Sequence, residues 1–445
     1  MKTATGNILV LLMVMVIIIP VSGIDGNVNH CSSMPTYAGA DSLHGGWLEE
    51  KDGVKILHVS GSNYEMGYQH GCLLRNETQQ DLRAFLNDAS LPYEKLLEMW
   101  NATKEYIPDE YIRELQGLAD GAGVEFEKVA AAYTAVMTWD LGCFGISAWG
   151  NATKDGKLYH FRSFDLGMNI QDPVTGRYAH DNAVLIVRKP KDGYSSISPS
   201  VAGSLSGGGG FNERGIAVGI HTCWSNDQTV HGIPAMIRIQ MVLDHASSAE
   251  EAINYLTTNS TLGWSFIVSD ANAPAGYAVE VTANLSYVGT YNNPVESTPP
   301  FWAIDHVVRR TNFFISPELA ATQRMHYDPS GLAGFLRVFT DGEPYFVIWN
   351  SYRAMSNLLE ENLGNMELNN SMEMFKKGYR GDTDIILKIL IKLAEGTSFN
   401  RAWNMWVSCP ETGDIVVSFA ERDRIAFDTP THYFNLYRLL NEEPP

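Results

Sequence analysis

The chain changes period at one step. Up to about Thr138 its apolar residues recur at helical spacing, with Ile112, Leu115, Leu118 and Ala119 on one stripe. From Cys143 onward, short β-rich runs between turn residues take over. Cys143-Phe-Gly-Ile-Ser-Ala-Trp-Gly150 and Leu158-Tyr-His-Phe-Arg-Ser-Phe-Asp165 flank an Asp155-Gly156 hairpin signal. Closing that hairpin brings Cys143 beside Asp165, with Arg162 close by.

The rest of the pattern follows from the same two periods. Trp47 to Ser60 reads as a strand pair around Lys51-Asp52-Gly53, and a helical stretch runs from Asn63 through Leu86. Gly121-Ala-Gly123 interrupts the helical segment that begins at Pro108. After the hairpin, Ala183 to Arg188 and Ile216 to His221 read as strands. Two amphipathic helices follow, Pro234 to His245 and then Ser247 or Ser248 to Thr257. Trp264 to Ser269 and Tyr277 to Val281 return to strand. A helix around Asp384 to Leu393 precedes a final hairpin of Ala402 to Ser408 and Asp414 to Ala420. Strands, a helix pair and strands again predict an α+β fold with helices outside stacked antiparallel sheets.

Charge removes several function classes. The 445 residues carry a formal net charge of −19, and the basic clusters, such as Lys376-Lys377, are short. Nucleic acids and anionic membrane surfaces both need a basic face. A Gly207-Gly-Gly-Gly210 run lacks the Gly-Lys-Ser/Thr of a phosphate loop, and reads as a turn. No G-x-S-x-G nucleophile elbow occurs.

The first residues read as an export signal over 1–23: Lys2, an apolar run from Ile8 to Ile19, Pro20, and small residues at Val21-Ser22-Gly23. The run is short for a bilayer span of about 20 residues; a retained N-terminal anchor is the alternative. Export predicts a secreted or lysosome-like location. It also fits six N-x-[ST] sequons, at Asn76, Asn101, Asn151, Asn259, Asn284 and Asn369. Of five cysteines (Cys31, Cys72, Cys143, Cys223 and Cys409), four could form two disulfides and leave one thiol. No C-x-x-C pair exists, so neither a structural zinc nor a cofactor is expected. His70 is a ligand or, more simply, a satisfied structural histidine.

Gly142-Cys143 is the step that carries chemistry. Cutting that bond would free an α-amino group on Cys143, with an ordinary pKa of about 7.7–8.0, suited to general-base work near neutrality. One residue would then supply nucleophile and base together. On residue type alone, a buried strand cysteine is the simpler reading.

Several blocks, in order, resemble the cysteine-type N-terminal nucleophile hydrolases of the penicillin acyltransferase family, with choloylglycine hydrolases and acid ceramidases more distant. They are Tyr64-Glu-Met-Gly-Tyr-Gln-His-Gly71, Glu114-Leu-Gln-Gly-Leu-Ala-Asp-Gly-Ala-Gly123, Gly142-Cys143, His160-Phe-Arg162-Ser-Phe-Asp165, Gly210-Phe-Asn-Glu-Arg-Gly-Ile216 and Thr311-Asn312. They span about residues 60 to 330. Phe144 and Phe313 depart from the family pattern, which bears on substrate more than on mechanism.

The resemblance implies a four-layer αββα sandwich. It also implies self-cleavage into a mostly helical chain, 24–142, and a catalytic chain, 143–445, that stay associated. Cys143 would be the nucleophile and its freed amine the base. Asp165 would orient that amine, Arg162 would pair with Asp165 or tune the thiolate, and Asn312 would donate its amide to the oxyanion. Arg324 would complete the charge network, and the His221-Thr222 turn would lend a backbone N–H. The implied activity is an exported amidohydrolase or acyltransferase acting on a small N-acyl amide through a thioester. The competing hypothesis is a secreted, non-catalytic binding glycoprotein that keeps the fold.

Overall fold

The computed structural model describes residues 45–138, 142–324, 345–382, 385, 388, 389 and 400–444. The expected signal segment, Cys31 and most of the helix expected near Asp384 lie outside these residues. Among them, no helix is long and apolar enough to cross a membrane.

Fifteen strands build two sheets: β1 (Trp47–Lys51), β2 (Val54–Gly61), β3 (Gly142–Ala148), β4 (Tyr159–Gly167), β5 (Ala183–Pro190), β6 (Ser196–Val201), β7 (Gly209–Asn212), β8 (Ile216–Thr222), β9 (Trp264–Asp270), β10 (Ala275–Val281), β11 (Ser286–Gly289), β12 (Val307–Arg310), β13 (Asn400–Cys409), β14 (Asp414–Phe419) and β15 (His432–Asn435). The larger sheet runs β1-β2-β5-β6-β7-β8-β9-β10-β11, the smaller β12-β3-β4-β13-β14-β15. Among the described residues, all pairings between these strands but one are antiparallel. β2 and β5 are parallel, Ile56 opposite Leu185, which corrects the expectation of two purely antiparallel sheets. The reason is the connection: a long helical excursion and the β3–β4 hairpin separate the two strands, so the chain re-enters the sheet in the same direction.

That excursion contains α1 (Asn63–Leu73), α2 (Arg75–Asp88), α3 (Tyr93–Thr103), α4 (Asp109–Ala122) and α5 (Phe126–Ala135). Ser62 and Glu65 form a capping box at the start of α1, and Gly123 ends α4 in the left-handed region. The glycines of the first two motif blocks make α1 and α4 cross in close backbone contact. A Cβ on Gly67 would lie 2.0 Å from Glu114 O, and one on Gly117 would lie 2.1 Å from Tyr64 O.

The sheets stack face to face. Ile197, Phe211 and Ala217 of the larger sheet pack against Trp406, Ile415 and Val417 of the smaller. α6 (Ala235–His245) and α7 (Ala249–Thr257) join the early helices on the outer face of the larger sheet, where Ile216, Val218 and Ile220 point. The helices Tyr345–Glu361 and Leu368–Tyr379 cover the smaller sheet through Tyr352, Met372 and Phe375. The result is the expected α/β/β/α layering. Every residue of β4, β8 and β9 is buried, because both faces of these strands are covered. Each large apolar side chain so buried contributes about 1.5–3 kcal/mol.

Cys143, Cys223 and Cys409 are free and buried, so the five-cysteine chain holds at most one disulfide, not two. Cys72 is disulfide-bonded.

Candidate active site

β3 lies between β12 and β4, and this ordering assembles the site. In register, Gly142 faces Asp165, Cys143 faces Phe164 and Gly145 faces Arg162. On the other edge Gly145 faces Arg310, so the chain leaving β12 carries Thr311 and Asn312 back to the head of β3. Alternation then sorts the side chains. Cys143, Arg162 and Phe164 share the face toward the larger sheet. Ser163 and Asp165 share the face toward the helix Leu368–Tyr379.

Cys143 is held at each of its polar atoms. Arg162 Nη2 donates to its Sγ at 3.2 Å, its backbone N–H donates to Asn312 Oδ1 at 2.9 Å, and Thr311 Oγ1 donates to its carbonyl at 2.8 Å. Asn312 Nδ2 donates to Thr222 O at 3.0 Å. Asn312 therefore reaches Cys143, and its amide oxygen is the atom facing Cys143 N. Thr222 likewise presents its carbonyl to Asn312. His221 packs against Gly145, and its Nδ1 meets Ser265 O at 3.2 Å.

The electrostatics follow from burial. Burial pushes the Cys143 thiol up, and the Arg162 guanidinium pulls it back down. Burial also raises the Asp165 carboxyl to about 6, against the lowering pull of Arg162. Arg162 and Asp165 form no ion pair among the described residues; Asp165 Oδ2 instead accepts from Tyr379 OH at 3.2 Å. Ser163 Oγ joins Tyr379 OH and accepts the Phe144 N–H at 3.0 Å. Arg162 is 1% exposed, and its Nε and Nη1 have no hydrogen-bond partner among the described residues. Burial, and then the Arg162 charge, hold His221 well below its ordinary pKa, so it stays neutral.

Arg324 does not join this network. Its Nε donates to Ser225 O at 3.1 Å, its Nη2 bonds Gln228, and its guanidinium lies over Trp224. Its exposed position after the Trp224–Gln228 loop gives it these nearer partners. Sequence reasoning missed three residues. Thr311 and Ser163 sat inside the quoted motifs. Tyr379 comes from a helix the sequence reading did not identify.

Bordered by Phe164 lies an apolar cavity of about 40 Å³. Leu82, Phe85 and Tyr133 line it from before Cys143, and Phe164, Met236 and Trp403 from after. Phe164 is the strand partner of Cys143, and Cys143 packs in the same apolar cluster as Leu82, Phe85 and Trp403. A register shift between Ala402 and Asn404 makes Trp403 the extra residue of a β-bulge, which is how it reaches this wall. Elsewhere, Glu49, His58 and Glu442 converge as metal ligands would, but the Lys51 ammonium already bridges both carboxylates. The six sequon asparagines are all exposed.

Residues 155–332 match the family described as acyl-coenzyme A:6-aminopenicillanic acid acyl-transferase, which bears out the family resemblance. An uncharacterized protein of Archaeoglobus fulgidus is 26% identical over 321 residues, covering 61% of this chain and 52% of that protein. Protein dcd1B of Dictyostelium discoideum is 25% identical over 238 residues, 46% of each chain. A beta-alanyl-dopamine/carcinine hydrolase of Drosophila melanogaster is 34% identical over 90 residues, 18% of this chain and 23% of that protein. This chain thus spans about half the length of the first two relatives.

Proposed function

We propose that this chain, with the acyl-transferase family's match over residues 155–332, is an exported N-terminal nucleophile amidohydrolase or acyltransferase. It cuts itself before Cys143 and then moves an acyl group off an N-acyl amide through a thioester. The observation that carries this reading is the grip on Cys143: thiol on Arg162, nitrogen on Asn312, carbonyl on Thr311.

The same contacts serve both stages. In the uncut chain the thiol attacks the Gly142 carbonyl, and the acyl group shifts from nitrogen to sulfur. That shift breaks the Gly142–Cys143 C–N bond and frees the amine, whose base strength suits neutral pH, and water then hydrolyses the thioester to the Gly142 carboxylate and the free thiol. Asn312 Oδ1, which accepts the amide N–H before the cut, accepts an amine hydrogen after it. That amine takes the thiol proton as Cys143 attacks the substrate carbonyl. Arg162 stabilises the thiolate in a buried setting that otherwise opposes it. The apolar cavity receives the acyl group.

Export is part of the proposal. Six exposed sequons and a disulfide at Cys72 are features of an oxidising, extracytoplasmic compartment. The test is a denaturing gel with mass spectrometry. Wild type should give a fragment beginning at Cys143, and Cys143→Ala should stay whole and inactive toward N-acyl amides. A Cys143→Ala chain cut at the same bond would assign the cleavage to another protease.

A further inference from the structure

The wall of the cavity includes a loop whose amides are held by side chains from the segment before Cys143. Between β6 and β7, Gly203, Ser204 and Gly207 line the cavity. Gly203, Gly207 and Gly208 all have positive φ, of 79°, 51° and 79°, and the loop holds turns of its own through Ser204 N–H to Val201 O and Gly209 N–H to Ser206 O. Two of its N–H groups find partners far away in sequence. Gly203 N–H donates to His70 Nε2 at 2.9 Å, and Leu205 N–H donates to Tyr133 OH at 2.9 Å. His70 belongs to α1 and Tyr133 to α5.

His70 is suited to be an acceptor. It is 3% exposed, and burial followed by the Arg188 charge lowers its pKa to about 3. It therefore stays neutral, with its proton on Nδ1 and a lone pair on Nε2 aimed at Gly203. His70 does not line the cavity, and among the described residues the side chains that bond Cys143 are Arg162, Thr311 and Asn312, so its place in the Tyr64–Gly71 block needs a reason other than chemistry.

We propose that His70 is a positioning residue for acyl-group selection: from the segment preceding Cys143 it latches the loop Ala202–Gly208 into the cavity wall, with Tyr133 as the second latch. Cutting before Cys143 would leave this latch intact only while the earlier segment remains bound. The inference rests on the cavity being the acyl site. Its consequence is that the earlier segment contributes to which acyl group is bound, beyond any role in folding.

The test uses the full chain and two readouts. The first is binding of cis-parinarate, a fluorescent C18 fatty acid, followed by fluorescence titration. His70→Leu leaves the Gly203 amide buried without an acceptor and should weaken binding about tenfold, with His70→Gln, which restores an acceptor oxygen, recovering most of it. Tyr133→Phe keeps the ring and removes only the acceptor for Leu205, so it probes the same loop if His70→Leu fails to fold; it too should weaken binding. The second readout is kinetic, with N-dodecanoyl and N-acetyl amides of one fluorogenic amine. His70→Leu should raise KM for the dodecanoyl amide about tenfold and leave its kcat within about twofold. Unchanged parinarate affinity in a folded His70→Leu or Tyr133→Phe chain overturns the latch, as does a fall in kcat with KM unchanged. If the wild type turns over neither amide while the binding series holds, the latch stands and the enzymatic reading falls.

Discussion

Arg162 and Arg310 sit on either side of Gly145, on strands two apart and on the same face of one sheet. Both are fully buried, yet they are provided for in opposite ways. Arg310 meets Glu280 through Nε at 2.8 Å, Glu296 through Nη1 at 2.8 Å and again through Nη2, and Arg309 O at 2.8 Å. Its charge is neutralised and its donors are used. Among the described residues, Arg162 has one hydrogen bond, to the Cys143 sulfur, and no carboxylate in an ion pair with it. A buried cation left this incomplete costs stability. Arg310 is therefore a structural charge, whereas under the proposed function Arg162 would be kept available for negative charge forming on the sulfur. His221, between them against Gly145, remains neutral and adds no third cation.

The comparison breaks most readily by removing each arginine. Arg310→Met strands two buried glutamates and should cost about 3–5 kcal/mol of stability, read by denaturant titration. Arg162→Met breaks no ion pair among the described residues and, though it removes a favourable charge from near Asp165, should leave stability within about 1 kcal/mol of wild type. Its loss should appear in kcat, about a hundred- to a thousand-fold, the scale of one preorganised charge partner. Equal losses of stability in the two variants would show that Arg162 is structural as well.

Asp165 sharpens the contrast from the carboxylate side. Its carboxyl is raised to about 6 by burial, so it binds a proton more tightly folded than unfolded. The stability this supplies is complete below the unfolded pKa near 4, is lost as pH rises toward 6, and is absent above. Asp165→Asn should then be more stable than wild type at pH 7 by about 3 kcal/mol, from roughly two pKa units at 1.36 kcal/mol each. The difference between the two should vanish by pH 4 in urea titrations across that range. A neutral-pH difference of zero would mean that Asp165 is well compensated, unlike Arg162.

The smallest effect is expected at Tyr379. Its hydroxyl donates to Asp165 Oδ2 and so favours the ionised carboxyl. Tyr379→Phe should move the acid limb of the rate profile upward by less than about one pH unit. An unmoved limb would disconnect Asp165 ionisation from turnover.

The uneven legibility of this site in the sequence has physical causes. The Asp155-Gly156 turn and the period of its flanks sufficed to place Arg162 and Asp165 near Cys143, because a hairpin is a local structure. The caps at Ser248 and Gly123 were local too. The parallel β2–β5 pair was not readable, since nothing near Val54 states which distant strand it will meet. Nor was the isolation of Arg162 visible: Arg309 and Arg310 are adjacent arginines in sequence, yet only folding brings Glu280 and Glu296 to Arg310. The motif drew attention to Asn312, which lies beside Cys143, while the orientation of its amide depended on Thr222, ninety residues earlier. Arg324 was carried over from the family pattern, and its three-dimensional neighbours took it elsewhere.

The step before Cys143 also has a topological consequence. β1 and β2 end the larger sheet, whereas β3 lies in the smaller, and a cut between Gly142 and Cys143 would leave only the first residue of β3, paired with Asp165, on the earlier piece. The two pieces would remain interleaved through β2–β5 and through the buried Glu114–Arg188 contact. Unfolding would then release two molecules instead of one. The uncut protein would melt at a temperature independent of its concentration. The cut protein would melt lower on dilution, because the translational entropy of the freed partner grows as the solution thins.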